Sequence, residues 1–240
     1  MSTGGARSRA RGTVDIGRPP RGRVELGLRT RVIAPLTSGS RGGLLDEAAA
    51  VGDEPVDLVE WRADSMVRAL AGSSFAAAPD LVGELTATAG ALLGASALPL
   101  IATVRTSSEG GAAHLDDSEY CALVASLAGM ADAVDVEIGR EGAPDLVREA
   151  QRAGARVIAS HHDFGGTPGD EELAGVLAAM NHAGADVLKI ACAPRSGGDV
   201  ARVLTAGAWA REAYDRPVIA IAMGRLGGPT RFAGAALGGA

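Results

Sequence analysis

From residue 31 onward, short apolar runs alternate with helical stretches, and this alternation is the strongest constraint on the fold. The runs are Arg31–Leu36, Val56–Arg62, Leu98–Arg105, Ala133–Ile138, Arg156–His162, Asp186–Cys192 and Pro217–Met223. Their starts fall roughly 31 residues apart, the size of one βα unit. Runs this apolar suit strands covered on both faces. Between them the sequence predicts helices over 44–51, 79–96, 118–130, 144–153, 171–183 and 198–214. Asp117 or Ser118 is the expected N-cap of the third helix, and Gly154 and Gly184 are the expected stops of the next two.

Strict alternation implies parallel strands joined by helical crossovers. Two architectures satisfy it, an open doubly wound sheet and a closed (β/α)₈ barrel. A dinucleotide-binding sheet needs a G-x-G-x-x-G turn after its first strand. Ser38-Gly39-Ser40-Arg41-Gly42-Gly43 lacks that spacing, and the second strand ends in Glu60-Trp61-Arg62, a poor ribose clamp. Polar residues instead gather at the C-terminal ends of several strands, which a barrel directs into one central site. The expected fold is therefore an α/β (β/α)₈ TIM barrel over residues 25–240. An eighth strand would begin near residue 240, so it is expected to be missing or only a stub at 235–240. Residues 1–24, rich in Gly and Arg, are expected to be a disordered arm, with Val14–Ile16 and Val24–Leu26 as a candidate hairpin at its end.

Composition narrows the function classes. A net charge of −6 and a pI near 5.3 argue against a general nucleic-acid binder. No apolar run is long enough to span a membrane. Cys121 and Cys192 form neither a disulfide framework nor a metal-ligand spacing, and no apolar segment follows the N-terminal arginines as in a signal peptide. Together these predict a cytoplasmic protein.

One strand carries an anomaly. Lys189 interrupts the run Val187-Leu188-Lys189-Ile190-Ala191-Cys192. Lysine is almost never fully buried unless it is paired or used. Desolvation favours the neutral amine, which can form a Schiff base with a carbonyl. In a barrel the neighbouring strand is the one before it in sequence, which ends in His161-His162-Asp163. Glu60 and Arg62 share a face of the second strand, because residues two apart point the same way. Arg105 ends the third strand, with Glu109 four residues later, and Met223, Arg225 and Arg231 follow the seventh. Each has a plainer reading as an ion pair or a solvated loop residue; their shared position at strand C-termini does not.

The stretches Val59-Glu60-Trp61-Arg62-Ala63-Asp64, Thr103-Val104-Arg105-Thr106 with Glu109-Gly110-Gly111, Ser160-His161-His162-Asp163-Phe164, Lys189-Ile190-Ala191 and Met223-Gly224-Arg225-Leu226-Gly227 with Thr230-Arg231 resemble the type I 3-dehydroquinate dehydratase family. The resemblance runs from about residue 30 to 240. It implies a shikimate-pathway lyase that converts 3-dehydroquinate to 3-dehydroshikimate with no metal and no cofactor. It further implies that Lys189 forms the Schiff base, that His162 is the general acid and base, and that Glu109 holds its imidazole. Glu60, Arg62 and Arg105 would bind ring hydroxyls, Arg231 would take the carboxylate, and Met223 and Phe164 would complete the pocket. A homodimer is also implied.

Members of that family continue into an eighth strand and a loop bearing a serine and a glutamine, residues not present in this sequence. Pro35 also stands where the family often has a small polar residue. Two competing readings remain on sequence alone: a class I aldolase-like Schiff-base enzyme, and a degenerate barrel that binds a ligand or partner without turnover.

Overall fold

The computed structural model describes residues 12–52, 54–72 and 78–233. Strands β1 (Val14–Ile16) and β2 (Val24–Leu26) form an antiparallel hairpin. A parallel sheet follows in unbroken chain order: β3 (Ile33–Leu36), β4 (Leu58–Arg62), β5 (Leu100–Thr103), β6 (Ala133–Glu137), β7 (Arg156–Asp163), β8 (Val187–Cys192) and β9 (Val218–Ala222). The connecting helices are α1 (Arg41–Val51), α2 (Ala63–Ala71), α3 (Ala78–Ala95), α4 (Asp117–Ala128), α5 (Ala143–Arg152), α6 (Asp170–His182) and α7 (Gly197–Tyr214), with a short α8 (Thr230–Ala233) after β9. Each strand neighbours the next, as in a (β/α)₈ barrel and unlike a doubly wound sheet. The described strands make seven-eighths of that barrel. Among the described residues, no helix is long and apolar enough to cross a membrane.

Two details differ from the sequence expectation. Helix α2 is not among the predicted elements, because Ala63 follows Arg62 directly and no loop residue marks the boundary. The N-cap of α4 is Asp116, one residue earlier than expected; it forms a capping box with Glu119.

The strand register sorts the interior side chains into layers. Partners such as Glu60↔Ile101, Thr103↔Asp135, Glu137↔Ser160, Ser160↔Lys189 and His162↔Ala191 share a face. The lowest interior layer is apolar: Leu58, Ile101, Ala133, Ile158 and Val187. Above it lie Glu60, Thr103, Asp135, Ser160 and Lys189, and above those Arg62, Arg105, Glu137 and His162. The larger hydrophobic cluster lies on the outer face, where Trp61, Tyr120, Leu127 and Leu173 pack between strands and helices.

The candidate hairpin at Val14–Ile16 and Val24–Leu26 is present, and this part of the N-terminal segment is packed against the barrel. Val14, Ile16 and Leu26 join the lowest interior layer and close the floor of the barrel. Residues 1–11 lie outside the described residues. Arg211 on α7 donates to the carbonyls of Gly12 (2.6 Å) and Gly27 (2.8 Å), fixing both ends of the hairpin. Three aspartates clamp the same end of the barrel. Asp57, Asp132 and Asp186 immediately precede β4, β6 and β8, and each accepts a backbone N–H at the start of the preceding strand, from Val32, Leu100 and Val157. Each also pairs with an arginine: Arg31, Arg21 and Arg156.

Among the described residues, β3 and β9 are the two edges of the sheet, pairing with β4 and β8. The Val32 carbonyl faces β4, so by alternation the nitrogen of Pro35 faces this edge, where a missing N–H breaks no ladder bond. The stub of an eighth strand expected at 235–240 lies outside the described residues.

Asp132 offers a test of the floor. Its fully buried carboxylate also accepts from the Arg18 amide (2.8 Å) and from Arg21 Nε (2.8 Å). Asp132→Ala leaves those donors unpaired and is expected to lower unfolding stability by about 3 kcal/mol, read from the urea midpoint. A loss below about 1 kcal/mol would show that the Asp132 clamp contributes little to holding the hairpin.

Candidate active site

Five strands, β4 to β8, and the loop after β5 build the site. The loop after β5 folds tightly back on itself. Ser107 donates to the Ala113 carbonyl and Gly111 to that of Thr106, both at 2.8 Å. Gly111 lies so close to the Arg105 backbone that a Cβ would overlap it, and Gly110, in the left-handed region at φ 76°, lies under the Phe164 ring. The short 3₁₀ turn Ser107–Glu109 in this loop presents Glu109 to the barrel mouth.

Arg105 is the hub. It is 3% exposed. Its Nη2 donates to Asp135 Oδ1 at 2.6 Å, and its Nη1 lies 3.0 Å from Glu109 Oε2, 3.2 Å from Glu137 Oε1 and 3.0 Å from Ser160 Oγ. Both terminal nitrogens are engaged by carboxylates, so Arg105 holds the acidic groups beneath the pocket. Glu137 is further fixed by the Thr106 amide (2.8 Å) and hydroxyl (2.7 Å).

Lys189 extends into this network. Its Nζ donates to Asp135 Oδ2 at 3.2 Å and lies 3.7 Å from Glu60 Oε1. Glu60 in turn accepts from Thr103 Oγ1 at 2.8 Å. The lysine side chain is 14% exposed. The sequence places it in apolar surroundings; the structure gives it two carboxylate partners from other strands.

His162 Nδ1 lies 2.9 Å from Glu109 Oε2. His162 shares its face of β7 with Ser160, which points into the barrel. His161 lies on the opposite face by alternation, yet its Nδ1 also comes within 3.8 Å of Glu109 Oε1 at the strand end. Arg62 is held by Asp64 in a paired contact at 2.9 and 3.0 Å. Met223, just past β9, donates its amide to the Cys192 carbonyl. Phe164 is 58% exposed at the rim.

A cavity of about 270 Å³ lies inside the sheet and reaches Lys189 and Glu60 from this group. Its lining also includes Pro35, Ile221 and Arg231, with Ile101 and Ile158 of the lowest layer. Thus Lys189, Glu60, Arg105, Glu109 and His162 come together, with Arg62 beside them, whereas Arg231 reaches the cavity from after β9.

Sequence reasoning missed Asp135, Glu137 and Ser160. The signal was present: β6 reads Ala-Val-Asp-Val-Glu, with two carboxylates on one face of a fully buried strand.

The electrostatics follow from burial and from Arg105. Burial alone would raise the Asp135 carboxyl, but Arg105, Lys189, His162 and the Ser160 hydroxyl outweigh it and hold Asp135 well below the usual range. Glu109 goes the other way: burial pushes it up to about 8, against the pull of Arg105. Burial, with Arg105 and Lys189 adding to it, lowers the His162 imidazole to about 3. Cys192, the thiol nearest this end of β8, is pushed up to about 12 by burial.

A model of the type I 3-dehydroquinase family matches residues 32–240. The chain belongs to this family. The 3-dehydroquinate dehydratase of Klebsiella pneumoniae subsp. pneumoniae is 36% identical over 218 residues, spanning 88% of this chain and 82% of that protein. The enzyme of that name from Salmonella paratyphi B is 32% identical over 215 residues, with the same coverage of each. Among solved structures, the 3-dehydroquinate dehydratase of Geobacillus kaustophilus superposes with a TM-score of 0.81 at 32% identity, covering 90% of this chain and 83% of that one. The type I enzyme of Clostridium difficile, solved with covalently modified comenic acid, gives 0.84 at 28% identity, covering 96% and 88%. These dehydroquinases share the TIM-barrel-like fold described above.

The raised Glu109 carboxyl has a consequence for pH. Its folded-state value near 8 lies above its ordinary 4.5. The stability it contributes is therefore full below about pH 4.5 and lost as pH rises through about 8. Glu109→Gln stays neutral and escapes that loss. From about pH 6 to about pH 8 the Tm of the parent should fall relative to the variant. A Tm difference independent of pH over that window would show that Glu109 is already ionised in the folded protein.

Proposed function

We propose that this chain dehydrates 3-dehydroquinate to 3-dehydroshikimate through a Schiff base on Lys189. Family membership supports the reaction. The observation that carries the residue roles is the row formed by Lys189, Asp135 and Ser160 with the His162–Glu109 pair one layer above it.

The Lys189 amine attacks the substrate ketone, and the carbinolamine loses water to give an iminium. This is a stronger electron sink than the ketone and acidifies the adjacent C–H. His162 is neutral near pH 7 because its imidazole is lowered to about 3. With its Nδ1–H donated to Glu109 Oε2, its Nε2 lone pair faces the substrate and takes that proton. The electron pair left behind passes through the enamine and expels the hydroxyl one carbon further on. His162 returns its proton to that hydroxyl, which leaves as water. Hydrolysis of the imine releases product and restores Lys189, so the net change is loss of one water.

Asp135 and Glu60 keep Nζ pointed into the pocket. Glu60 and Arg62 meet the ring hydroxyls in this reading, and Arg231, which lines the cavity, offers a planar fork to the carboxylate. Phe164 and Met223 limit the pocket at the rim. Arg105 acts through the carboxylates it holds.

Borohydride reduction with 3-dehydroquinate present should give one adduct by intact mass, mapped to the Lys189 peptide. An adduct on Lys189→Ala protein would overturn the assignment. A trapped adduct with no appearance of the conjugated enone product would instead identify a barrel that binds without turnover. His162→Ala should lower kcat by about 10²- to 10⁴-fold while adduct formation persists. His161→Ala should have the smaller effect; the reverse order would exchange the roles of the two histidines.

A further inference from the structure

We infer that Asp64 is a positioning residue whose one carboxylate ties Arg62 to the loop that carries Glu109. The inference rests on the reading of Arg62 and Glu109 just given and names the group that sets both.

Asp64 lies in the first turn of α2 and is 1% exposed. Its Oδ1 accepts from Arg62 Nε at 2.9 Å, and its Oδ2 accepts from Arg62 Nη2 at 3.0 Å. The same Oδ2 accepts from the Ala112 amide, also at 3.0 Å. Ala112 belongs to the closed loop after β5, where Gly111 and Ser107 bond to Thr106 and Ala113 and hold Glu109 as part of one rigid turn. A buried carboxylate with three donors fixes all of them, because moving any one leaves a buried polar group short of a partner. Arg62 reaches from Asp64 towards the pocket on the same face of β4 as Glu60, with its side chain partly exposed. The substrate-facing guanidinium and the carboxylate that orients His162 are therefore registered to each other through Asp64, although they lie on different strands. No solvent-exposed ion pair would do this, since such pairs are weak and mobile.

Asp64→Asn tests it. Asparagine keeps one accepting oxygen and turns the other position into a donor, so the paired contact to Arg62 breaks in either orientation, and the Ala112 amide either loses its acceptor or keeps only a neutral, weaker one. We expect KM for 3-dehydroquinate to rise about tenfold, the effect of about 1.4 kcal/mol, with a changed pH profile of kcat as Glu109 loosens from His162. In a double-mutant cycle with Arg62→Met the two KM effects should be non-additive. Amide exchange of residues 106–113 should also quicken in Asp64→Asn, a readout that needs no turnover. If Asp64→Asn does not fold, Asp64→Glu, which keeps the charge but changes the reach, is expected to give the same KM and exchange signatures. A KM within twofold of the parent, additive effects with Arg62→Met, or unchanged exchange at 106–113 would each overturn the inference. Failure of the functional reading would look different: no dehydration by the unsubstituted chain, while the exchange result still decides the role of Asp64.

Discussion

The pocket depends on one buried cation. Arg105 sits under the barrel mouth and draws Asp135, Glu137 and Glu109, from one neighbouring strand and one loop, to within about 3 Å of its terminal nitrogens. Without it, three carboxylates would be packed together in a region of low dielectric, where like charges cannot all remain ionised. With it, Asp135 stays ionised and is available to Lys189, whereas burial outweighs the pull of Arg105 on Glu109 and keeps that carboxyl raised. The acidity pattern of the site follows from that arrangement. A buried imidazole beside Arg105 and Lys189 stays neutral, and the carboxyl bonded to it holds its proton unusually well.

The barrel makes such a cluster possible because it stacks side chains by register. The apolar layer of Leu58, Ile101, Ala133, Ile158 and Val187, sealed below by the β1–β2 hairpin, keeps water out from beneath. The charged layers lie above it, towards the barrel mouth. The aspartate clamps before β4, β6 and β8 fix the lower strand ends, so the upper ends that bear the functional groups start from a fixed base.

Much of this was legible in the sequence. The seven strands were readable because buried parallel strands are short apolar runs, and Lys189 stood out because it broke one of them. The residues at strand C-termini followed from the barrel expectation and the family resemblance. What could not be read was long-range pairing. Nothing local in Val-Leu-Lys-Ile announces that Asp135, 54 positions earlier, will lie 3.2 Å from the ammonium. Arg105 reads as a pocket residue by position, and only the three carboxylates converging on it reveal a structural role. Asp64 is equally silent, since its partner Ala112 contributes only a backbone amide. The hairpin was half legible: its two short strands were visible, but its burial was not, because Gly and Arg dominate the turn around them.

The most direct test of this account is the titration of the His162 ring, followed by NMR in the unsubstituted protein. The burial and the cationic neighbours set by Arg105 and Lys189 predict an imidazole that remains neutral through about pH 5, with its midpoint near 3. A His162 ring that titrates near the ordinary value of 6.5 would contradict the account, because it would mean that the cluster around Arg105 does not control the charge at the barrel mouth.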